Sequence, residues 1–216
     1  ERIRNCRIIV GTVAAISGKP ELFRLKHFDV AIIDEATQIL EPQLLGILCA
    51  RGEDGKDAID KFVLIGDHKQ LPAVVQQNTE QSAIYDESLL SIGLTNLKDS
   101  LFERLYRNCT ATVHRSYDML CRQGRMHPEV ALFANRAFYG GRLIPVGLPH
   151  QIESSDTICR LAFYPSVPEK VGASAKINYS EARIVADLAV RIYEDHQADF
   201  DESRTLGIIT PYRSQI

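Results

Sequence analysis

The sequence predicts an α/β protein. Two observations carry that expectation: runs of Val, Ile, Leu, Phe and Ala that do not alternate with polar residues, and intervening stretches with the apolar spacing of helices. A strand buried on both faces reads as such a run, and strands of that kind belong to parallel sheets covered by helices. A third observation places the polar chemistry. Acids and amides come directly after two of the runs, and open α/β sheets bind ligands at the carboxyl ends of their strands.

Taken in order, residues 7–11 read as a strand, 28–33 as a second, 41–50 as a helix and 61–66 as a third strand. Residues 51–60, with two glycines and four acids, form a surface loop. Residues 76–97 show no clean period and read as an insertion or a flexible connector. A second domain is expected from residue 99, so that the domains are 1–98 and 99–216. Asp99 or Ser100 caps a helix running to about residue 107. Pro128 opens another, with helical apolar spacing over 129–138, and Tyr139-Gly140-Gly141 stops it. Residues 142–176 hold Pro145, Pro149, Pro165 and Pro168, with a strand at 157–163. Asn178 or Ser180 caps a further helix, with Ile184, Leu188 and Ile192 on one face and Val185 and Ala189 beside them. Residues 206–210 are the last strand. Strands so near both ends are expected of a segment excised from a longer chain.

The composition is that of an ordinary globular protein: 216 residues, 45% hydrophobic, 25% charged, net charge −3. No global basic field advertises nucleic acid. Residues 101–150 nevertheless carry seven Arg against three acids and no Lys. That bias reads equally as a segment facing phosphates and as ordinary surface arginine. The five cysteines, at 6, 49, 109, 121 and 159, have neither CxxC nor zinc-finger spacing, and scattered thiols fit a reducing, cytoplasmic setting. No apolar run approaches the length of a membrane span.

The chemistry sits at the strand ends. Asp34 and Glu35 come after the run 28–33 and are held rigidly beside a polar crevice. Asp34 suits a magnesium ion bound through water, and Glu35 suits a base that deprotonates a water attacking a phosphoryl group. The competing reading makes Asp34 a helix cap and Glu35 a first-turn acid on the helix dipole. Gly66-Asp67-His68-Lys69-Gln70 ends the next run: Gly66 permits the turn, Asp67 orders the loop and Gln70 can sense a terminal phosphate. A plain polar turn is the alternative. Arg125, just before the Pro128 helix, can neutralise charge on a transferred phosphate, or can simply pair with Glu129.

These segments together resemble a superfamily 1 helicase of the branch that includes the nonsense-mediated-decay RNA helicase and the Dna2-type DNA helicases. Asp34-Glu35-Ala36-Thr37-Gln38 matches the DEAxQ form of motif II. Gly66-Asp67-His68-Lys69-Gln70-Leu71-Pro72 matches motif III, GDxxQLxP with slight spacing variants. Gln123-Gly124-Arg125-Met126-His127-Pro128 matches QYRMHP, and Ile209-Thr210-Pro211-Tyr212 matches the ITPY segment. Residues 100–105 and 138–143 also resemble linking segments of that branch. The resemblance covers nearly the whole chain in the family's order. It implies two RecA-like parallel-sheet motor domains, both incomplete here, and an enzyme that couples ATP hydrolysis to movement on single-stranded DNA or RNA. It also implies roles by position: Asp34 on Mg2+, Glu35 as catalytic base, Gln70 as γ-phosphate sensor, Arg125 as arginine finger, and Asp67 and Gln123 beside the nucleotide. Thr12 and Pro72 in the first domain, and Thr210, Pro211 and Tyr212 in the second, are implied on the nucleic-acid backbone. The further partner is the rest of its own polypeptide.

Two departures stand out. Gly124 replaces the aromatic residue before the finger Arg, which removes a base-stacking ring and loosens the backbone. The phosphate-binding loop G-x-x-x-x-G-K-[ST] is also missing: from Gly11 to Gly18-Lys19-Pro20 the spacing is two residues too long, and Pro20 stands where the hydroxyl belongs. The closing SFQGxE-like and TRA-like motifs do not occur either. The segment by itself is therefore expected to bind ATP weakly or not at all. Two alternatives stay open: a non-catalytic nucleic-acid-binding module of helicase-like fold, and a metal-dependent phosphohydrolase using Asp34, Glu35 and Asp67.

Overall fold

The computed structural model describes residues 2–112, 116–153, 160–168 and 176–216. Packing divides the chain into two compact units, Glu1–Cys121 and Arg122–Ile216.

The first unit is built on a βαβ element. Strand β1 (Phe28–Ile33) pairs in parallel with β2 (Ile59–Leu64), in a register that sets Ala31 beside Phe62 and Ile33 beside Leu64. Before β1 come three short helices, α1 (Arg2–Asn5), α2 (Val13–Ser17) and α3 (Pro20–Leu25). Thr12 caps α2 by accepting a hydrogen bond from the Ala15 amide, and Pro20, which has no N–H to leave unpaired, opens α3. Helix α4 (Glu41–Leu48), with Pro42 in its first turn, carries the chain from β1 to β2. Leu44 and Ile47 of α4 are buried, Ile47 with Phe23, Ala58 and Ile59, and Leu44 with Ile33, Ala36 and Leu101. After β2 the chain makes α5 (Thr79–Ser82) and α6 (Glu87–Ser91), capped by Asn78 and Asp86. It then runs into α7 (Leu101–Ala111), capped by Ser100. So 76–97, which lacks a period, holds two short capped helices, and a bridge from Ala83 to Asn96 closes the segment on itself.

Helix α7 packs with the first unit. Leu101 is 5% exposed in the same cluster as Ile33 and Leu44, Ser100 bridges Leu40, and Arg104 pairs with Glu41 of α4. Compactness therefore divides the chain after Cys121, about twenty residues beyond the change of pattern at residue 99.

In the second unit, two-residue strands β3 (Arg122–Gln123) and β4 (Ile144–Pro145) pair in parallel across helix α8 (Pro128–Tyr139). Gly140, at φ 59°, ends α8 in the left-handed conformation that favours glycine. The short α9 (Pro149–Ile152) comes next, then α10 (Tyr179–Asp195), capped by Asn178.

The protein is thus a mixed α/β molecule with two small parallel sheets. Three expectations are corrected. Residues 7–11 and 206–210 are not strands: no neighbouring strand supplies a ladder, and Val10 and Ile209 stand 90% and 97% exposed. Strands β1 and β2 are covered on one face only, with Ile32 and Val63 exposed on the other, because a two-stranded sheet here has helices against one side. Of the strand expected at 157–163, residues 157–159 lie outside the described residues, and 160–163 are irregular. Among the described residues no helix is long and apolar enough to cross a membrane.

Candidate functional site at the ends of the first parallel pair

Because β1 and β2 are parallel and in register, the loops after them leave the sheet on the same edge. Their backbones are knitted together there. The Ile65 amide donates to the Ile33 carbonyl (2.9 Å) and the Ala36 amide donates to the Ile65 carbonyl (2.8 Å), while the Gln38 side-chain amide donates to the Leu71 carbonyl. Gly66 lies directly on Thr37: a Cβ added to it would come within 2.9 Å of the Thr37 Cγ2 and 3.0 Å of the Thr37 amide nitrogen. The segment Asp34–Gln38 and the segment Gly66–Pro72 are therefore one rigid edge, with Ala36 and Thr37 buried beneath exposed Asp34 and Glu35.

Glu35 occupies the left-handed region at φ 50°, ψ 37°, the one non-glycine residue with positive φ among those described. An L-residue there carries a cost of roughly 1–2 kcal/mol. Directly after Glu35 the chain makes a three-residue 3-10 turn, Ala36–Gln38, and Glu35 makes no side-chain cap on it. Asp34 accepts a hydrogen bond from the Glu35 amide (3.0 Å). The helix-cap reading of this pair thus lacks a helix to cap. The Thr37 hydroxyl is buried without a hydrogen-bond partner, an unusual state for a buried polar atom.

On the neighbouring loop, the Asp67 carboxylate accepts hydrogen bonds from the Lys69 amide (3.0 Å) and from the Gln70 side-chain amide (2.9 Å). The Gln70 amide nitrogen also donates to the Asp67 carbonyl (3.1 Å). Asp67 folds the turn around itself and fixes the direction of Gln70. His68, half-buried at the corner, has its pKa lowered by burial first and by the Lys69 charge second, against opposing effects of Asp67 and Glu103. Leu71 and Pro72 are exposed.

Thr12 caps α2 and is exposed. The stretch 11–20 makes α2 and the start of α3, with Gly18 closing one helix and Pro20 opening the next, which is no phosphate-cradling loop. Among the described residues, the one grouping close enough to share a metal ion is His27, Asp29 and Asp60. It lies toward the start of the two strands, at the other end from Asp34.

In the second unit Gln123 shapes the turn that presents Arg125. Its Oε1 accepts from the amides of Arg125 (3.0 Å) and Met126 (2.8 Å), and its Nε2 donates to the Met126 carbonyl (2.7 Å). Gln151, 2% exposed, braces the same turn by donating to the carbonyls of Gln123 (2.9 Å) and Met126 (3.0 Å). Sequence reasoning missed Gln151; its only signal is the pairing of Gln151 with the Leu148 amide at the start of a Pro-opened turn. No ion pair joins Arg125 to Glu129 among the described residues, and Arg125 is exposed. Gly124 is packed rather than loose: a Cβ there would lie 3.2 Å from Leu148 and 3.4 Å from Val146, and its carbonyl meets His150 at 3.0 Å. Thr210 and Tyr212 form a local turn in which the Thr210 hydroxyl donates to the Tyr212 carbonyl (3.4 Å). Lys176 stands over the Tyr212 ring at 5.3 Å, with Pro211 exposed between. The arginine bias is partly structural: Arg104 pairs with Glu41, and Arg107 with Asp99 and Glu103.

An acid pair at the end of one parallel strand, with an amide-bearing loop on the next, is an edge suited to phosphate chemistry. Comparison with known proteins agrees with that class. A family model described as an AAA domain matches residues 1–78, and a second of the same description matches residues 97–216. The DNA replication ATP-dependent helicase/nuclease DNA2 of Xenopus laevis is 29% identical over 250 residues, covering 100% of this chain and 21% of the relative. A probable helicase of Dictyostelium discoideum is 31% identical over 220 residues, covering 96% of this chain and 20% of its own length. The probable helicase senataxin of Mus musculus is 27% identical over 195 residues, with 87% of this chain and 7% of the relative covered. The chain belongs to the AAA-domain family of superfamily 1 helicases, in the branch of the Dna2-type and nonsense-mediated-decay enzymes. It spans about a fifth or less of the length of these relatives.

Proposed function

We propose that this chain is the central motor segment of an ATP-dependent helicase or translocase, built from parts of two RecA-like domains, that couples ATP hydrolysis to movement on single-stranded DNA or RNA. The observation that carries the reading is the knitted edge after β1 and β2, which fixes exposed Asp34 and strained Glu35 beside the Asp67–Gln70 turn. Strain of this kind persists where the surroundings hold it, and it gathers at functional sites.

In this reading Glu35 accepts the proton of a water that attacks the terminal phosphorus, as the bond to the bridging oxygen breaks and the diphosphate leaves. Gln70, held by Asp67, hydrogen-bonds the terminal phosphate and reports its presence. Arg125, presented by the Gln123 turn, neutralises charge on the transferred group. Asp34 offers a single exposed carboxylate, a hard oxygen donor that suits Mg2+, which keeps most of its own waters. When bound, that ion neutralises charge on the phosphates. Thr12, Pro72, Thr210, Pro211 and Tyr212 grip a nucleic-acid backbone without reading its sequence. The residues that cradle the β-phosphate are not among these 216, so the segment by itself is inactive.

The test is Glu35→Gln in the full-length protein. ATP turnover stimulated by single-stranded nucleic acid is expected to fall by about 10²-fold or more while nucleotide binding survives. Turnover at the unmutated rate would show that Glu35 is not the base.

A further inference from the structure

Helix α7 carries an aromatic shelf that lies against the turn holding Gln70. The His68 ring is 4.4 Å from the Tyr106 ring at an interplanar angle of 34°, and 6.4 Å from Phe102. Tyr106 in turn meets Tyr117 edge-on at 5.0 Å. His68 sits in the turn between Asp67, whose carboxylate binds both the Lys69 amide and the Gln70 side chain, and Lys69 itself. The shelf is firmly seated. Ser100 caps α7, Leu101 is buried, and Arg104 reaches Glu41 of α4 and the Ile92 carbonyl (2.9 Å). Offset rings at these distances contribute beyond their buried area and fix orientation.

We propose that Tyr106 is a positioning residue for Gln70, holding the Asp67–Gln70 turn in place by stacking on His68. The inference rests on the hydrolase reading of this edge, and it adds a residue that lies outside every motif quoted. Glu41, on the helix after the acid loop, and Gln70, on the loop after β2, are thereby both referred to α7. The groups facing His68 are Lys69, Asp67 and Glu103, and burial against the shelf is the largest of the effects that hold its imidazole neutral.

Two substitutions separate stacking from mere packing. Tyr106→Leu keeps bulk and removes the ring; Tyr106→Phe keeps the ring. In the full-length protein Tyr106→Leu is expected to lower kcat for ATP hydrolysis about tenfold with KM nearly unchanged, and Tyr106→Phe to restore it. Placed on a Gln70→Ala background, Tyr106→Leu is expected to cost nothing further, because the two act as one unit. The His68 resonance, tracked by NMR as pH is varied, is expected to titrate higher in Tyr106→Leu and unchanged in Tyr106→Phe. An equal tenfold loss on the Gln70→Ala background, or an unmoved His68 titration in Tyr106→Leu, overturns this inference alone. Absence of ATP hydrolysis in the unmutated full-length protein overturns the hydrolase reading and this inference together.

Discussion

Single residues at this edge do different physical jobs. Glu35 holds a left-handed backbone that an unbranched acid tolerates poorly, and Gly66 supplies the space that lets the second loop lie on the first. Gly66→Ala sets a methyl against the Thr37 backbone, which cannot swing away as a flexible side chain can. We expect a loss of about 1–3 kcal/mol, seen as a lower urea midpoint at unchanged slope; an unmoved midpoint would mean the two loops part without cost. His68 carries the pH dependence. Its folded pKa lies below the unfolded value, so between the two the unfolded chain binds more protons and stability rises with pH. The penalty grows as pH falls through the ordinary histidine value and is complete below the folded one. Asp34, Glu35, Gln70 and Arg125 were legible in the sequence because acids and amides after apolar runs have few other reasons to be there. Gln151 and Tyr106 were not, because a buried brace and a stacked ring depend on partners 28 and 38 residues distant.

Among elements, α7 matters most. Its bidentate pair with α4, in which Arg104 Nε donates to Glu41 Oε2 at 2.8 Å, is 11% and 13% exposed, so each charge depends on the other. Arg104→Ala leaves Glu41 buried alone and should cost about 3–5 kcal/mol, whereas replacing both by Leu should cost much less. A double variant as unstable as the single would refute the pairing argument, with chemical denaturation as the measurement. Strands β1 and β2 and helices α4, α7, α8 and α10 were readable because their apolar spacing and caps agree: Ser100, Pro128 and Asn178 stand at the predicted starts. The strands at 7–11 and 206–210 were not, since composition reports that a segment suits a strand and says nothing about whether a neighbour is present to pair with it. The two-residue strands β3 and β4 are too short for any period to register.

At the scale of the molecule, the sheet of the first unit shows water an apolar face. Val30, Ile32 and Val63 are 45%, 67% and 45% exposed there, on the side away from the buried clusters. Such a face, flanked by unpaired strand edges, drives association. We expect the 216-residue chain to self-associate as its concentration rises, and Ile32→Thr with Val63→Thr, which keeps the β-branched backbone preference, to suppress it. Sedimentation velocity over a concentration series decides, and an unmutated chain that stays monomeric throughout would count against the expectation. The placement of the core has one more consequence. Both buried clusters belong to the first unit, and among the described residues of the second only Ala131 and Gln151 are buried. Cooperativity tracks buried contacts, so the two halves lack a common melting event. A single melting temperature is then not a property of this chain: heat will dismantle it in stages, and a probe in each half will report a different transition.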